Sequence, residues 1–183
     1  MNYDDAFARV IGHEGKFQAD YHDRGNWTSG VIGQGNLKGT KYGISAMSYP
    51  NLDIRNLTLE QAKDIYYRDF WKRVHGEELH DAIAYQLFDA AINHGIGNAI
   101  RMLQRAVDVA DDGRVGPLTL GAVRKTDVND VLMKFNAQRI RFFTRISTFN
   151  RYGRGWMNRV ADNLNYAADD YTAPWHEHVE VDA

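Results

Sequence analysis

Apolar residues recur three and four positions apart along most of the chain, the periodicity of helices packed on a shared core. Residues 4–12 are the first such segment. Asp4 and Asp5 sit where the helix dipole favours negative charge, and Gly15 supplies a stop signal. Thr58-Leu59-Glu60-Gln61 has the form of a capping box, a Thr followed three residues later by Gln. Leu59, Ala62, Tyr66 and Phe70 then mark one helical face as far as about Val74. A helix over 80–94 is predicted to turn Ala84, Leu87, Phe88 and Ala91 inward, and one over 98–109 aligns Ile100, Leu103 and Val107. A short helix over 119–123 follows the turn signals Asp111-Asp112-Gly113 and Gly116-Pro117. The spacing then predicts a long helix over 127–149, striped by Val128, Val131, Leu132, Phe135, Phe142, Ile146 and Phe149. A last helix is predicted over 154–171.

One stretch breaks the helical pattern. Between residues 17 and 45 glycines alternate with Trp27, Val31, Ile32, Tyr42 and Ile44, which predicts a small, irregular β-hairpin region. The expected fold class is therefore mainly α, an α+β arrangement of a helical bundle with one small hairpin. There is no internal repeat. The short apolar stretch His94-Gly95-Ile96-Gly97 reads as a hinge between a lobe over 1–93 and a second, helical lobe over 94–183.

Composition narrows the class. The chain has 183 residues, enough to bury a core, with 44% hydrophobic and 25% charged residues, as in ordinary globular proteins. The absence of Cys excludes disulfides, thiolate chemistry and Cys-based zinc sites. No apolar run is long enough to span a membrane. The start, Met1-Asn2-Tyr3-Asp4-Asp5, lacks the features of a secretory signal. Net charge is −2, yet no Asp or Glu occurs from Val131 to Ala161, where Lys134, Arg139, Arg141, Arg145, Arg151, Arg154 and Arg159 lie. That segment reads either as a surface for an anionic polymer or as a solvated face.

The residues suited to chemistry cluster near the start. Glu14, Asp23 and Thr40 form a set fit for cutting glycosidic bonds. Such hydrolysis needs one carboxylic acid to protonate the leaving oxygen and a second group to activate water or to steady an oxocarbenium-like transition state. Glu14 is the candidate acid, with Phe17, Tyr21 and Trp27 available to raise its pKa by apolar burial. Asp23 is the candidate second carboxylate, and His22-Asp23-Arg24-Gly25 is equally good turn chemistry. Thr40 can orient a water without ionising, and Thr28 competes for that role. Asn93 and His94, at a helix end beside glycines, can face a cleft or cap the helix. Of Tyr66, Tyr67, Phe70, Trp71 and Trp156, mostly core by spacing, one or two can stack on sugar rings. His13-Glu14 lacks the second His that a metalloprotease helix requires, since position 17 is Phe. Only His176 and His178 are spaced for even a weak metal contact, so no metal or organic cofactor is expected.

Taken in order, Glu14-Gly15-Lys16-Phe17, Asp23-Arg24-Gly25 and Thr40-Lys41-Tyr42-Gly43-Ile44-Ser45 resemble glycoside hydrolase family 108, the N-acetylmuramidases found largely as phage and prophage endolysins. Leu57 to Ala62, Tyr66 to Trp71, Phe88 to Gly95, Leu103 to Ala106, Asp112 to Thr119 and Gly155 to Arg159 extend the resemblance over about 5–160. It implies a lysozyme-like catalytic lobe followed by a helical region resembling a peptidoglycan-binding module. It also implies Glu14 as catalytic acid, with Asp23 and Thr40 completing a site like that of phage-type lysozymes. Tyr42 and Asn93 are expected to touch substrate. Where the family motif usually reads Glu-Gly-Gly-Tyr, this chain has Glu-Gly-Lys-Phe, which keeps the acid, the first glycine and an aromatic ring. The loop from Asp23 to Thr40 is longer than in simple members; Thr40 keeps its position before Tyr-Gly-Ile and is favoured over Thr28.

The expected activity is hydrolysis of the β-1,4 bond between N-acetylmuramic acid and N-acetylglucosamine, causing lysis. The alternatives are a lytic transglycosylase and a non-catalytic module binding cell wall or nucleic acid. The expected partner is peptidoglycan, with an anionic envelope polymer at the 131–161 segment. A monomer is expected, with no nucleic acid. Without a signal, the protein would be made in the host bacterial cytoplasm and act in the periplasm and cell wall, after a holin opens the inner membrane.

Overall fold

A computed structural model describes residues 1–12 and 16–171 of the chain. Among these the protein is mainly α, with one two-stranded antiparallel sheet. The chain forms two compact units, one over Asp4–Asp69 and the other from Phe70 onward together with Met1–Tyr3.

The first unit takes in α1 (Tyr3–Ile11) from Asp4 onward, and Ala6 and Phe7 of this helix are buried. Phe7 packs at 5.8 Å on the ring of Tyr66. Loops and one 3₁₀ turn (Arg24–Asn26) lead to β1 (Thr40–Lys41) and β2 (Ile44–Ser45), paired Thr40 to Ser45 and Lys41 to Ile44. Tyr42 and Gly43 form the two-residue turn, with φ of 51° and 74°. Both in the left-handed region is the turn whose twist matches a hairpin. The Tyr66 hydroxyl donates to the Tyr42 carbonyl at 3.1 Å and pins that turn. An isolated bridge between Gln18 and Thr40 adds a third segment beside the hairpin.

Helix α2 (Leu59–Tyr66) opens on the expected capping box: Thr58 accepts from the Gln61 amide and the Gln61 side chain accepts from the Thr58 amide. The helical run predicted to continue to Val74 changes pitch instead. It becomes a π-helical turn over Tyr67–Trp71 and a 3₁₀ turn over Lys72–Val74. Ile54, Leu57, Ala62 and Tyr66 supply the core of this unit.

The second unit is built round α3 (Asp81–His94), buried on almost every side from Ala82 to Ala91. A helix buried all round belongs at the centre of a bundle, and the small Ala82, Ala84, Ala90 and Ala91 let neighbours approach closely. Around it pack α4 (Ile96–Ala106), α6 (Val128–Thr144) and α7 (Phe149–Tyr171), with α5 (Pro117–Lys125) preceding α6. Gly95, at φ 81°, links α3 to α4. Gln104 explains the Asp112-Gly113-Arg114 sequence: its buried amide donates to Asp112 Oδ1, the Arg114 carbonyl and Thr119, and accepts from the Gly113 amide.

The predicted 127–149 helix is in fact two pieces. α6 stops at Thr144, and a turn over 145–148 delivers the chain into α7, which starts earlier than predicted. The buried stripe of α6 is Val131, Leu132, Phe135, Asn136, Arg139 and Phe143, so Arg139 and Phe143 replace Phe142 and Ile146. Arg139 is fully buried. With Arg159 from α7 it neutralises Asp89 of α3, at 2.7 Å and 2.6 Å. Asn163 adds a donor at 2.5 Å. The two arginines hold the Asp89 carboxyl below its ordinary range against the opposing effect of burial. Of the basic residues over 131–161, expected to form a surface for an anionic polymer or a solvated face, Arg139 is instead core and Arg159, though partly exposed, is paired with Asp89.

Candidate active site

Three short segments of the first unit build the site. The chain after α1 returns antiparallel to Thr40, with paired amides and carbonyls between Gln18 and Thr40 at 2.8 and 2.9 Å. Asp23 and Asn26 stand on the intervening turn. Asp23 Oδ1 accepts from the Gly25 amide at 2.8 Å and caps the 3₁₀ turn Arg24–Asn26. The turn reading and the carboxylate reading of Asp23 are thus compatible: one oxygen serves the turn, and the side chain is exposed.

Asn26 is the hub. Its side chain is fully buried. Its Oδ1 accepts from the Thr40 hydroxyl at 2.7 Å and from Gln18 Nε2 at 3.2 Å. Its Nδ2 donates to Gln18 Oε1 at 2.8 Å and to the Asp20 carbonyl at 2.9 Å. Its backbone carbonyl accepts from the amides of Lys38 and Gly39, each at 3.0 Å. Gln18 Nε2 also donates to Asp23 Oδ2 at 3.3 Å, which joins Asp23 to the same frame. Gly39, at φ 84°, allows this closeness, since a Cβ there would lie 2.7 Å from the Phe17 ring.

The arrangement has a chemical direction. With its proton given to Asn26, the half-buried Thr40 hydroxyl has lone pairs left and meets an incoming water as an acceptor. Asp23, tied through Gln18, offers a second acceptor in the same frame. Thr28 lies elsewhere: its oxygen accepts from the Asn36 amide at 2.9 Å and closes the glycine loop. Tyr42 is half-buried at the hairpin turn, with the Lys41 ammonium 5.3 Å from its ring centroid. Trp27 is buried, and its indole donates to the Tyr21 carbonyl at 2.8 Å. Beside the frame, Phe17, Leu37, Lys38, Asn51, Asp53, Ile54 and Arg55 line a groove of about 320 Å³, with the Arg55 guanidinium 4.6 Å from the Phe17 ring centroid.

Glu14 lies outside the described residues, as do His13, the predicted stop Gly15, His176 and His178. Asn93 belongs to the second unit, on the last turn of α3, where its amide donates to the Asp89 carbonyl at 2.7 Å. His94 is buried beside it, accepts from Arg139 Nε at 3.3 Å, and is pushed down to about 4 by burial and by Arg139. Among the described residues no cluster of His, Asp or Glu is arranged to hold a metal ion, and no helix is long and apolar enough to cross a membrane.

Sequence reasoning missed Gln18 and Asn26. The one signal for Asn26 was its position three residues after Asp23, where a capping carboxylate closes a short turn. Gln18 carried none, because its role comes from pairing with Thr40, which is remote in sequence.

Two family models match the chain, and they meet near residues 95–98 rather than at the Asp69–Phe70 division of the compact units. The model described as glycosyl hydrolase 108 matches residues 7–95, and the one described as predicted peptidoglycan domain matches residues 98–161. The solved structure of Brucella abortus SagA is similar at 27% identity, over 93% of this chain and 96% of that one, with a TM-score of 0.79. Comparison with curated proteins finds no match. The chain has a lysozyme-like, mainly α fold and is a glycoside hydrolase acting on peptidoglycan. It belongs to glycosyl hydrolase family 108 through residues 7–95 and carries a predicted peptidoglycan domain over residues 98–161.

Proposed function

We propose that the enzyme is an N-acetylmuramidase, cutting the β-1,4 bond from N-acetylmuramic acid to N-acetylglucosamine. The observation that carries this reading is the Gln18–Asn26 frame, which ties an exposed carboxylate, Asp23, to a hydroxyl, Thr40, whose proton is already committed. Glu14 protonates the leaving glycosidic oxygen as the C–O bond breaks. A water donates one hydrogen to Thr40 and turns its oxygen toward the anomeric carbon. Asp23 steadies the positive charge developing on the sugar and accepts the proton that the adding water loses. Exchange with solvent then resets both carboxyls. Thr40, rather than Thr28, holds the water, because Thr40 shares the Gln18–Asn26 frame with Asp23, whereas the Thr28 hydroxyl accepts from the Asn36 amide and closes the glycine loop.

The lobe over 1–93 does the cutting and the region over 94–183 holds the wall. The two family matches support this division, since one ends at 95 and the next begins at 98. In this reading the protein is an endolysin, and wall cleavage lyses the cell.

Fragment chemistry separates the reading from a lytic transglycosylase. Hydrolysis in ¹⁸O-water leaves a reducing N-acetylmuramic acid carrying one label, whereas transglycosylation leaves an unlabelled anhydro-sugar. A binding module releases neither.

A further inference from the structure

The end of the bundle where α6 hands over to α7 gathers a charge pattern that the catalytic reading does not use. Arg141 and Arg145 close α6, and Arg151 and Arg154 open α7. All four are exposed. Because the connection spans only residues 145–148, the two pairs are brought to one end of the bundle. The buried Arg139 and the committed Arg159 do not belong to the patch.

Aromatic rings run through the same end. Phe143, buried on α6, stacks on Trp156 at 5.0 Å with 19° between planes. Tyr152 lies 6.0 Å from Trp156 and Phe149 lies 6.2 Å from it. Tyr152 is 47% exposed, and the Arg151 guanidinium sits 5.2 Å from its ring centroid. Gly153 makes the cluster possible, since a Cβ there would meet the Phe149 ring at 2.8 Å. The Tyr152 ring is thus held from behind by Trp156 and rimmed by a cation.

We propose that this end, formed by Arg141, Arg145, Arg151, Arg154 and Tyr152, is the docking site of the predicted peptidoglycan domain, and that its ligand is glycan bearing carboxylated stem peptides. An exposed, rigidly backed aromatic ring stacks on a sugar face, and guanidiniums grip carboxylates in pairs of hydrogen bonds. Charge complementarity selects the acidic stem over a neutral glycan. The proposal rests on peptidoglycan as substrate, but not on which bond is cut.

The test is the affinity of the full-length protein for purified sacculi, read by sedimentation, and for the soluble glycan strands that remain when an amidase removes the stem peptides, read by calorimetry. Wild type is compared with the triple variant Arg141→Gln/Arg145→Gln/Arg151→Gln, with Tyr152→Ala, and with Lys134→Gln. Lys134 lies on α6 outside the patch, 4.0 Å from Asp108. Circular dichroism and thermal melts check each fold. The expected result is about a tenfold weaker affinity of the triple variant for intact sacculi, the difference shrinking with added salt. Wild type on stripped glycan should fall to the level of the triple variant, Tyr152→Ala should weaken both substrates, and Lys134→Gln should bind as wild type. Unchanged binding by the triple variant would overturn the proposal, as would equal loss in Lys134→Gln or tighter binding to duplex DNA or to lipopolysaccharide vesicles than to sacculi. Failure of the hydrolysis reading would appear separately, as unlabelled fragments with this binding intact.

Discussion

Asn26 uses every hydrogen-bonding position of its amide, two as acceptor and two as donor. A buried polar group so fully satisfied fixes its surroundings, and removing it strands each partner. Asn26→Ala would leave the Asp20 carbonyl, Gln18 and the Thr40 hydroxyl without their partner. The expected cost is about 2–3 kcal/mol of stability, with loss of most activity at a temperature where the fold persists. Denaturant melts beside turbidity assays on sacculi check both, and wild-type activity in a folded Asn26→Ala would show that the frame does not position Thr40. Asp23 and Thr40 could be named as candidates from the sequence because glycosidic chemistry restricts the residue types. The frame that orients them was not legible there, because it depends on Gln18 meeting Thr40 across the chain. The interior of α6 shows the same limit. Arg139 follows Val131 and Phe135 at four-residue spacing, so it occupies a core position, yet its charge made it read as surface.

At the scale of elements, helices were legible wherever one face stays apolar, and the capping box of α2 forms as written. Boundaries failed where the apolar period runs on across a turn. Val128 to Phe149 keeps its stripe, but the chain turns at 145–148 because α6 and α7 must both lie against α3. The hairpin was legible from its glycines. Its turn is narrower than composition implies, for Gly43 lies at φ 74° and a Cβ there would come within 2.5 Å of the Tyr66 hydroxyl. Gly43→Ala therefore suffers both backbone strain and displacement of Tyr66 from the Tyr42 carbonyl. A loss of about 1–3 kcal/mol is expected, read as a lower urea midpoint. A midpoint equal to wild type would mean that the hairpin is free to rearrange.

At the scale of the molecule, the cluster of buried Asp89, Arg139 and His94 with the partly exposed Arg159 makes stability depend on pH. His94 stays neutral in the fold down to about pH 4, against an ordinary value of 6.5. Between those limits the unfolded chain binds a proton that the folded chain refuses, so stability falls as pH falls through that window. The loss is at most about 3 kcal/mol. Above pH 6.5 the term is constant, and below pH 4 it no longer grows. Asp89 then adds to the loss, because its carboxyl is held below the ordinary 3.8 and its contribution disappears only as pH falls through that lowered value. His94→Gln can keep an acceptor for Arg139 while removing the titration. Urea melts at pH 7 and pH 4.5 should show a smaller difference for His94→Gln than for wild type. An equal difference would place the pH sensitivity elsewhere.

The central claim is that family 108 chemistry in this chain is water addition by Glu14, Asp23 and Thr40 on a muramic acid bond. Its most direct test digests sacculi in ¹⁸O-water with wild type, Glu14→Gln and Thr40→Val, following turbidity and weighing the fragments. The account predicts labelled reducing N-acetylmuramic acid from wild type, at least a hundredfold slower release by a folded Glu14→Gln, and a clear loss in Thr40→Val. Anhydro-sugar products, or wild-type rates from Glu14→Gln, would contradict it.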